Sequence, residues 1–405
     1  MPGKRKLLMI SSRTPYPLIG GGRIRVYNLG KLLRQRYEVH LLFINDNGAR
    51  GHRQGLSGAF DELIEFPYPA QRLILNSIPG ILSRKPVQVS GNYFARIQDW
   101  VNGHIADYYA VLCSQIRTAE YVRRLPEAKS RNILKILEYC DAISLNYQIA
   151  RSGARGFWKY FYWLEYPRVR DYEASIIESF DLAFVASPVD RDYLLRNFSS
   201  KRPLEVIPMG VDPVGGTGNN GQEDDTIVFM GQMDYFPNEI AAEFFVEQVF
   251  PSLLGKHPEL KFYIVGAFPT KTVRRLASRR NVVVTGFVDD PLSYVRRAKV
   301  FVSPQLIGAG MQTKVLIAMS LGKAVVATSK ALASIEGKSW DHFVVADSAE
   351  QIAEDILKLL ADPALRSGLG ERARALVSQR YSWEQVGKKM FQAIDSACGE
   401  TNEVR

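Results

Sequence analysis

The chain has 405 residues, 46% of them hydrophobic and 23% charged, which excludes wholesale disorder and fits two domains. Three unclustered cysteines (Cys113, Cys140, Cys398) argue for a reduced, cytoplasmic-type compartment over a disulfide framework. The formal charge of +10 points to an anionic partner, and it is unevenly spread: residues 1–210 hold 30 Lys and Arg against 19 Asp and Glu, the remainder 22 against 23.

The basic start MPGKRKLLMISSRTPYP contains one apolar run, Leu7–Ile10. That run is shorter than the roughly 7–15 residues of a signal h-region. No stretch reaches the ~18 apolar residues of a spanning helix, so a soluble or peripheral protein is expected. Lys6–Ser11 reads as a buried parallel strand. The loop Thr14–Gly22 follows, with two prolines and three glycines, then a helix marked by Ile24, Tyr27, Leu29, Leu32 and Leu33. Strands are predicted at Tyr37–Ile44, Tyr109–Cys113, Ile133–Leu137 and Leu182–Ser187, with helices at Arg117–Leu125 and about 157–180. Leu204–Gly210 is strand-like, and the Gly-, Asn- and acid-rich residues 211–225 read as a linker.

Alternation then restarts. Strands are predicted at Ile227–Met230, Lys261–Val265, Val282–Thr285, Ala298–Ser303 and Ala324–Ala327. Helices are predicted near 238–256, 270–279, 291–297, 312–321, 349–360, 363–379 and 383–397. Two doubly wound α/β sheets, residues 1–210 and 226–380, joined by the 211–225 linker, are the simplest organisation.

Open α/β sheets bind ligands beyond the carboxyl ends of their strands, so two facing sheets are expected to place their sites around a cleft. Three loops qualify. Gly20, Gly21 and Gly22 precede a helix whose free N–H groups suit phosphate or sugar, with Arg23 and Arg25 adding charge; a flexible surface turn is the plain alternative. The spacing is neither GxGxxG nor a P-loop. Ser303–Lys314 (SPQLIGAGMQTK) repeats the design, and Lys314 in the first helical turn opposes the helix dipole by about 0.3–1 kcal/mol. A bound diphosphate would reverse that sign, whereas a tolerated surface lysine is the alternative. Gly231–Asn238 (GQMDYFPN) follows the first strand of the second half, and Asn238 reads equally as a helix N-cap or a ligand contact.

Metal and covalent chemistry are not expected. The five histidines are scattered, Asp289-Asp290 and Asp224-Asp225 read as turn and linker, and no G-x-S-x-G elbow occurs. Asn197-Phe198-Ser199 matches a glycosylation acceptor, which has meaning only under secretion. Gly156–Arg170 mixes seven aromatics with three basic residues, beside Arg151 and Arg155, suiting either an anionic membrane interface or core packing. Nucleic-acid binding is not expected, because no recognised module accompanies the stretch.

Val206–Asp212 (VIPMGVD) resembles the VIPNGVD segment leading into the second domain of family 4 (group 1) glycosyltransferases of the GT-B fold. The glycines at 20–22, the Gly231 loop, Lys261–Gly266, Thr285–Val288, Lys314–Thr328 and Ser382-Trp383 sit where that family puts them. Gly231–Asn238, Met311–Ser320 and Glu138–Ser144 (EYCDAIS) further resemble bacterial sugar transferases found with exopolysaccharide and PEP-CTERM/exosortase systems.

The resemblance implies a retaining, metal-independent transfer from a nucleotide-sugar, with no cofactor. The base would lie at Gly286, Phe287 and Val288, and the diphosphate at Gly310, Met311, Gln312, Thr313 and Lys314, with Gly231, Gln232 and Asn238 alongside. A glycan or polyprenyl-phosphate-linked acceptor would lie beneath Gly20–Gly22 in the first domain, whose basic surplus would meet an anionic membrane face. Residues 381–405 would form a helix crossing back to the first domain. Helix amides with a cation would stabilise the departing diphosphate.

Two departures stand out. The family's Glu-x7-Glu positions are Ala309 and Ile317, and its Arg/Lys pair after the Gly231 loop is replaced by Gln232 and Asn238. Lys314 is expected to compensate. The losses also allow a non-catalytic GT-B scaffold; an epimerase fits the motifs less well. Asp141, after strand Ile133–Leu137, is expected to face the cleft as a catalytic or acceptor-orienting carboxylate, with a helix N-cap as the bland reading.

Overall fold

The computed structural model describes residues 3–403 apart from 19, 46–51, 155, 213–222 and 309. Arg155, Ala309 and most of the expected linker lie outside the described residues. The chain divides into two compact units, Met1–Pro208 with Val386–Arg405, and Met209–Gln385.

The first unit is built on seven parallel strands: β1 (Lys6–Ser11), β2 (Glu38–Asn45), β3 (Glu62–Pro67), β4 (Ala110–Ser114), β5 (Leu134–Cys140), β6 (Leu182–Val185) and β7 (Leu204–Val206). Their order is β3-β2-β1-β4-β5-β6-β7, with Leu7 of β1 level with Val39 on one side and Ala110 on the other. The central strands are near-continuous apolar runs because helices cover both faces. Leu8, Ile10, Leu42 and Val111 from the sheet pack with Ile97, Val101 and Ile176 from helices.

β3 escapes the sequence pattern because it is an edge strand carrying Glu62 and Glu65, charges that keep such edges from pairing further. The helix expected at Arg117–Leu125 shrinks to Glu120–Arg123. Gln115, with a φ of 67°, delays its start, and Pro126 excludes helical backbone at Leu125.

In the second unit β8 (Asp224–Met230), β9 (Lys261–Val265), β10 (Val282–Gly286), β11 (Ala298–Ser303), β12 (Ala324–Ala327) and β13 (Val344–Val345) form a parallel sheet ordered β10-β9-β8-β11-β12-β13. β8 starts at Asp224, inside the stretch read as linker, and Val211 at its other end already donates to Tyr381 O (2.8 Å). The single helix expected at 238–256 is three pieces, Phe236–Phe244, a π-turn at Phe245–Val249, and Phe250–Lys256. Pro251 opens the last piece; lacking an N–H, it cannot continue the regular ladder, and the preceding turn widens.

The final helix, Trp383–Glu403, clusters with the first unit from Val386 onward. Arg36 pairs with Asp395 (2.9 Å) and stacks on the Phe391 ring.

Candidate functional site

β8 ends at Met230, and the chain turns at Gly231, whose N–H donates to Val265 O (3.0 Å). The loop after β9 passes so close that a Cβ on Gly266, at φ 151°, would lie 1.7 Å from Gly231 O. Asn238 is in the first turn of helix Phe236–Phe244, but the capping position is Tyr235. Pro237 needs no N–H partner and starts the helix early, so the expected N-cap role for Asn238 is corrected. Buried Asn238 instead donates from Nδ2 to Gln232 O (2.9 Å) and accepts at Oδ1 from Lys314 Nζ, while the Gln305 amide donates to Ser303 and its oxygen accepts from Lys314 Nζ (2.5 Å). The side chain of Gln232 itself is exposed.

Lys314 enters from the first turn of helix Thr313–Ser320, after β11. Its ammonium is drawn inward, 4.7 Å from the Phe229 ring centroid, and a Cβ on Gly231 would be 3.5 Å from it. Burial pushes its pKa down to about 7. Among the described residues no carboxylate pairs with it. An ammonium held by neutral groups gains from any anion that reaches it. No side chain caps the helix at Gln312, which leaves its opening amides for a ligand.

Gly310, at φ 79°, leads into this helix, and Thr313 N–H bonds Met311 O (3.0 Å). Met311 and Ile317 are half-buried against the apolar cluster of Val315, Leu316 and Phe301. Ile317, where the resemblance implies a glutamate, thus has an aliphatic packing role. β10 closes on Gly286 at φ 68°, followed by exposed Phe287 and by Val288, half-buried against the same cluster. Gly231, Asn238, Gln305 and Lys314 are in mutual contact, whereas Gly286–Val288 follow the edge strand, two places from β8. A cavity of about 360 Å³ lined by Glu223, Arg366 and Arg374 lies at the opposite strand ends, away from this loop cluster.

In the first unit, Gly20 (φ 87°) caps helix Gly21–Leu33 with no side-chain bond, and a Cβ on Gly20 or Gly21 would meet nothing within 4 Å. A Cβ on Gly22 would lie 4.0 Å from Nε2 of Gln115 in the loop after β4. Arg25 does not join this loop, which corrects the expected phosphate contact. It is one turn into the helix and points to the interior, where Nε and Nη2 grip Glu138 (3.0 and 2.9 Å) and Nη1 and Nη2 hold Pro208 O and Ile207 O (3.1 and 2.7 Å). All its nitrogens are thereby engaged inside the protein. Arg13, in the loop after β1, is exposed; Arg117, bonded through Nε to Gln88 (2.9 Å), stands near it, and burial together with Arg13 pushes Arg117 down to about 10.

Asp141 follows β5, whose last residue Cys140 turns the chain at φ 65°. It is not a cap. The start of helix Ile143–Gly153 is held by two other carboxylates: Glu173 accepts from Ile143 N (2.7 Å) and from Ser144, and Asp190 accepts from Ala142 N (2.9 Å). Burial, then the neighbouring Asp190, pushes Asp141 up to about 7 against the pull of Arg25. Burial lifts Glu173 to about 8. Glu138 and Asp141 thus share the buried Arg25 guanidinium, and Asp141, which has no backbone donor, titrates near neutrality, as a proton-transferring group requires.

The sequence reading passed over Glu173, Asp190, Arg117 and Gln305. Asp190 had a signal: Ser187-Pro188-Val189-Asp190 is a capping pattern, and Ser187 does accept from Asp190 N (3.1 Å). Among the described residues no group of three His, Cys, Asp or Glu could hold a metal ion, and no helix is long and apolar enough to cross a membrane.

Residues 224–362 match the model of the family described as "Glycosyl transferases group 1". A phosphatidyl-myo-inositol mannosyltransferase of Mycolicibacterium smegmatis is 28% identical over 187 residues, 44% of this chain and 47% of that protein. The chain spans about half the length of the first relatives it matches. Sucrose-phosphate synthase from Thermosynechococcus elongatus superposes with a TM-score of 0.72 at 18% identity, covering 98% of this chain and all of that one. The Anabaena protein HepE, solved with UDP and glucose, gives 0.69 at 13% identity over 97% of this chain and all of that one. Two parallel-sheet α/β units and these likenesses show the GT-B fold, and residues 224–362 carry the match to the group 1 glycosyltransferases.

Proposed function

We propose that the protein moves a sugar from a nucleoside diphosphate sugar to a glycan or polyprenyl-phosphate-linked acceptor, with retention at the anomeric carbon and without a metal. The work would belong to exopolysaccharide or glycolipid assembly at the cytoplasmic face of a membrane. The observation that carries this reading is Lys314: a buried ammonium with neutral partners, beside the Gly231 backbone and an uncapped helix start. Such a place stabilises the charge that grows on a departing diphosphate. In the first unit, Asp141 has a pKa suited to handling the acceptor hydroxyl proton, and Arg13 with Arg117 supplies cations for an anionic acceptor. HepE, solved with UDP and glucose, and the phosphatidyl-myo-inositol mannosyltransferase support the donor and acceptor classes by likeness.

Calorimetric titration with UDP, GDP and their sugars, followed by a transfer assay, tests the reading. Binding of at least one nucleotide, weakened in Lys314→Met, is expected; no binding to any overturns it. Ile317, packed as an apolar residue where the family places a ribose-binding glutamate, favours a second reading, a non-catalytic scaffold. Nucleotide binding without turnover would select that reading.

A further inference from the structure

The large apolar side chains that this chain leaves in water are concentrated on two helices of the first unit. Helix Ala70–Leu82 leaves Ile74, Leu75, Ile78 and Ile81 between 50 and 68% exposed. The first turns of helix Phe157–Ile176 leave Phe157, Trp158, Tyr160 and Trp163 between 57 and 74% exposed. The helices adjoin, since Arg168 donates to Gly80 O (3.2 Å) and Ile81 O (3.0 Å), and Glu165 accepts from Val87 N (2.8 Å). The rings of Phe157, Trp158, Phe161 and Tyr162 lean on one another with centroids 5.6 to 6.3 Å apart, so they form one continuous aromatic cluster.

Charge decides what could cover this surface. Residues 70–85 contain Arg72, Arg84 and Lys85 and no acid; residues 143–170 contain five Arg and Lys and one acid, Glu165. Glu165 is buried and paired with Arg168 (3.1 Å). The apolar face is therefore flanked by basic groups, and the exposed carboxylate of the Phe157–Ile176 helix, Asp171, lies beyond the aromatic turns and is paired with Arg170 (2.7 Å). A two-fold contact between copies would set these like charges against each other. An anionic bilayer answers both features: aromatic bodies suit the headgroup boundary, and Lys and Arg suit its phosphates.

We propose that the Ala70–Leu82 and Phe157–Ile176 helices dock the protein onto an anionic lipid bilayer. Docking rests on the proposed membrane-linked acceptor only in its purpose, and its test is separate. The full chain is sedimented with vesicles of phosphatidylcholine alone and of phosphatidylcholine with phosphatidylglycerol, some carrying brominated acyl chains. Binding to the anionic vesicles at least about tenfold tighter than to neutral ones is expected from the basic flanks. Brominated chains should quench tryptophan emission, and Trp158→Phe with Trp163→Phe should lose that quenching while keeping its circular dichroism. Ile78→Ser with Trp163→Ser should weaken vesicle binding about tenfold or more. Three results overturn the proposal: wild type that ignores anionic vesicles, quenching that survives the double Phe variant, or a dimer in ultracentrifugation that the Ser variant dissociates. Nucleotide binding is measured on the same preparations without vesicles. Nucleotide binding with no vesicle binding ends the docking idea and leaves the transferase reading; the converse upholds docking and counts against the transferase.

Discussion

Because Lys314 is buried among Asn238, Gln305 and Phe229, nucleotide binding acquires a pH dependence of definite sign. The environment holds the amine near a pKa of 7 against 10.5 for the free side chain, so at pH 8 it is mostly neutral. A diphosphate lying against Gly231 and the opening amides of helix Thr313–Ser320 favours the ammonium, and the complex therefore takes up a proton on forming. With the bound amine fully charged, affinity should fall about fivefold from pH 7 to 8 and about ninefold from pH 8 to 9, the limit being tenfold per unit, about 1.4 kcal/mol. Titration calorimetry of UDP or GDP in buffers of different ionisation enthalpy reads both the affinity and the proton. The same group acts on folding. The unfolded chain binds this proton more tightly than the folded one, so stability rises with pH from about 7 to about 10.5. Lys314→Met should be more stable than wild type at pH 7, by a margin that shrinks toward pH 10, while losing most nucleotide affinity. Flat affinity from pH 7 to 9, no proton uptake and an unimpaired Met variant would together refute the reasoning.

Three further perturbations follow from the same geometry. Arg25→Ala leaves Glu138 charged and buried, and should cost about 3–5 kcal/mol in urea unfolding; a loss under about 1 kcal/mol would mean that the pair is dispensable. Asp141→Asn should lower turnover by about 100-fold or more, and unchanged turnover would remove Asp141 from the chemistry. Since the folded Asp141 keeps its proton up to about pH 7 while the unfolded one releases it near 3.8, wild-type stability falls across that window, and the Asn variant should melt higher at pH 8 with no advantage below pH 4. Gly266→Ala forces a methyl group to 1.7 Å from Gly231 O, so it should abolish nucleotide binding or folded expression; a soluble variant with full affinity would contradict the close approach of these loops.

Buried parallel strands are long apolar runs, and these were legible: Lys6–Ser11, Lys261–Val265, Ala298–Ser303 and Ala324–Ala327 lie where the pattern puts them. What escaped was set by pairing partners and not by local pattern. β3 carries two glutamates and is a strand only because β2 lies beside it. Helix Ala70–Leu82 contains Pro79 and leaves its isoleucines in water, so its periodicity advertises no core face. The π-turn at Phe245–Val249 needed the proline at 251 to be read as a disturbance inside one helix instead of as a first-turn residue.

The glycines of two candidate loops could be read because backbone needs are local: Gly20 and Gly310 have positive backbone angles that side chains disfavour, and both lie between a strand and the helix that follows it. The cations could not, because the direction of a long side chain depends on the whole fold. Arg25 and Lys314 were both expected to greet a phosphate, and both turn inward, one onto Glu138 and one onto Asn238. Their different partners give them different chemistry. Arg25 is matched by a carboxylate, so its charge is spent within the protein and it serves as a fixed strut beneath Ile207 and Pro208. Lys314 has amide oxygens and a ring, so its charge is conditional on what arrives. Under the proposed donor reading, these loops would offer an anion backbone amides first and a cation second, the latter appearing only as the anion binds. With Gln232 where the resemblance implies an arginine, the conditional charge of Lys314 would in this way supply the diphosphate affinity of the proposed donor site.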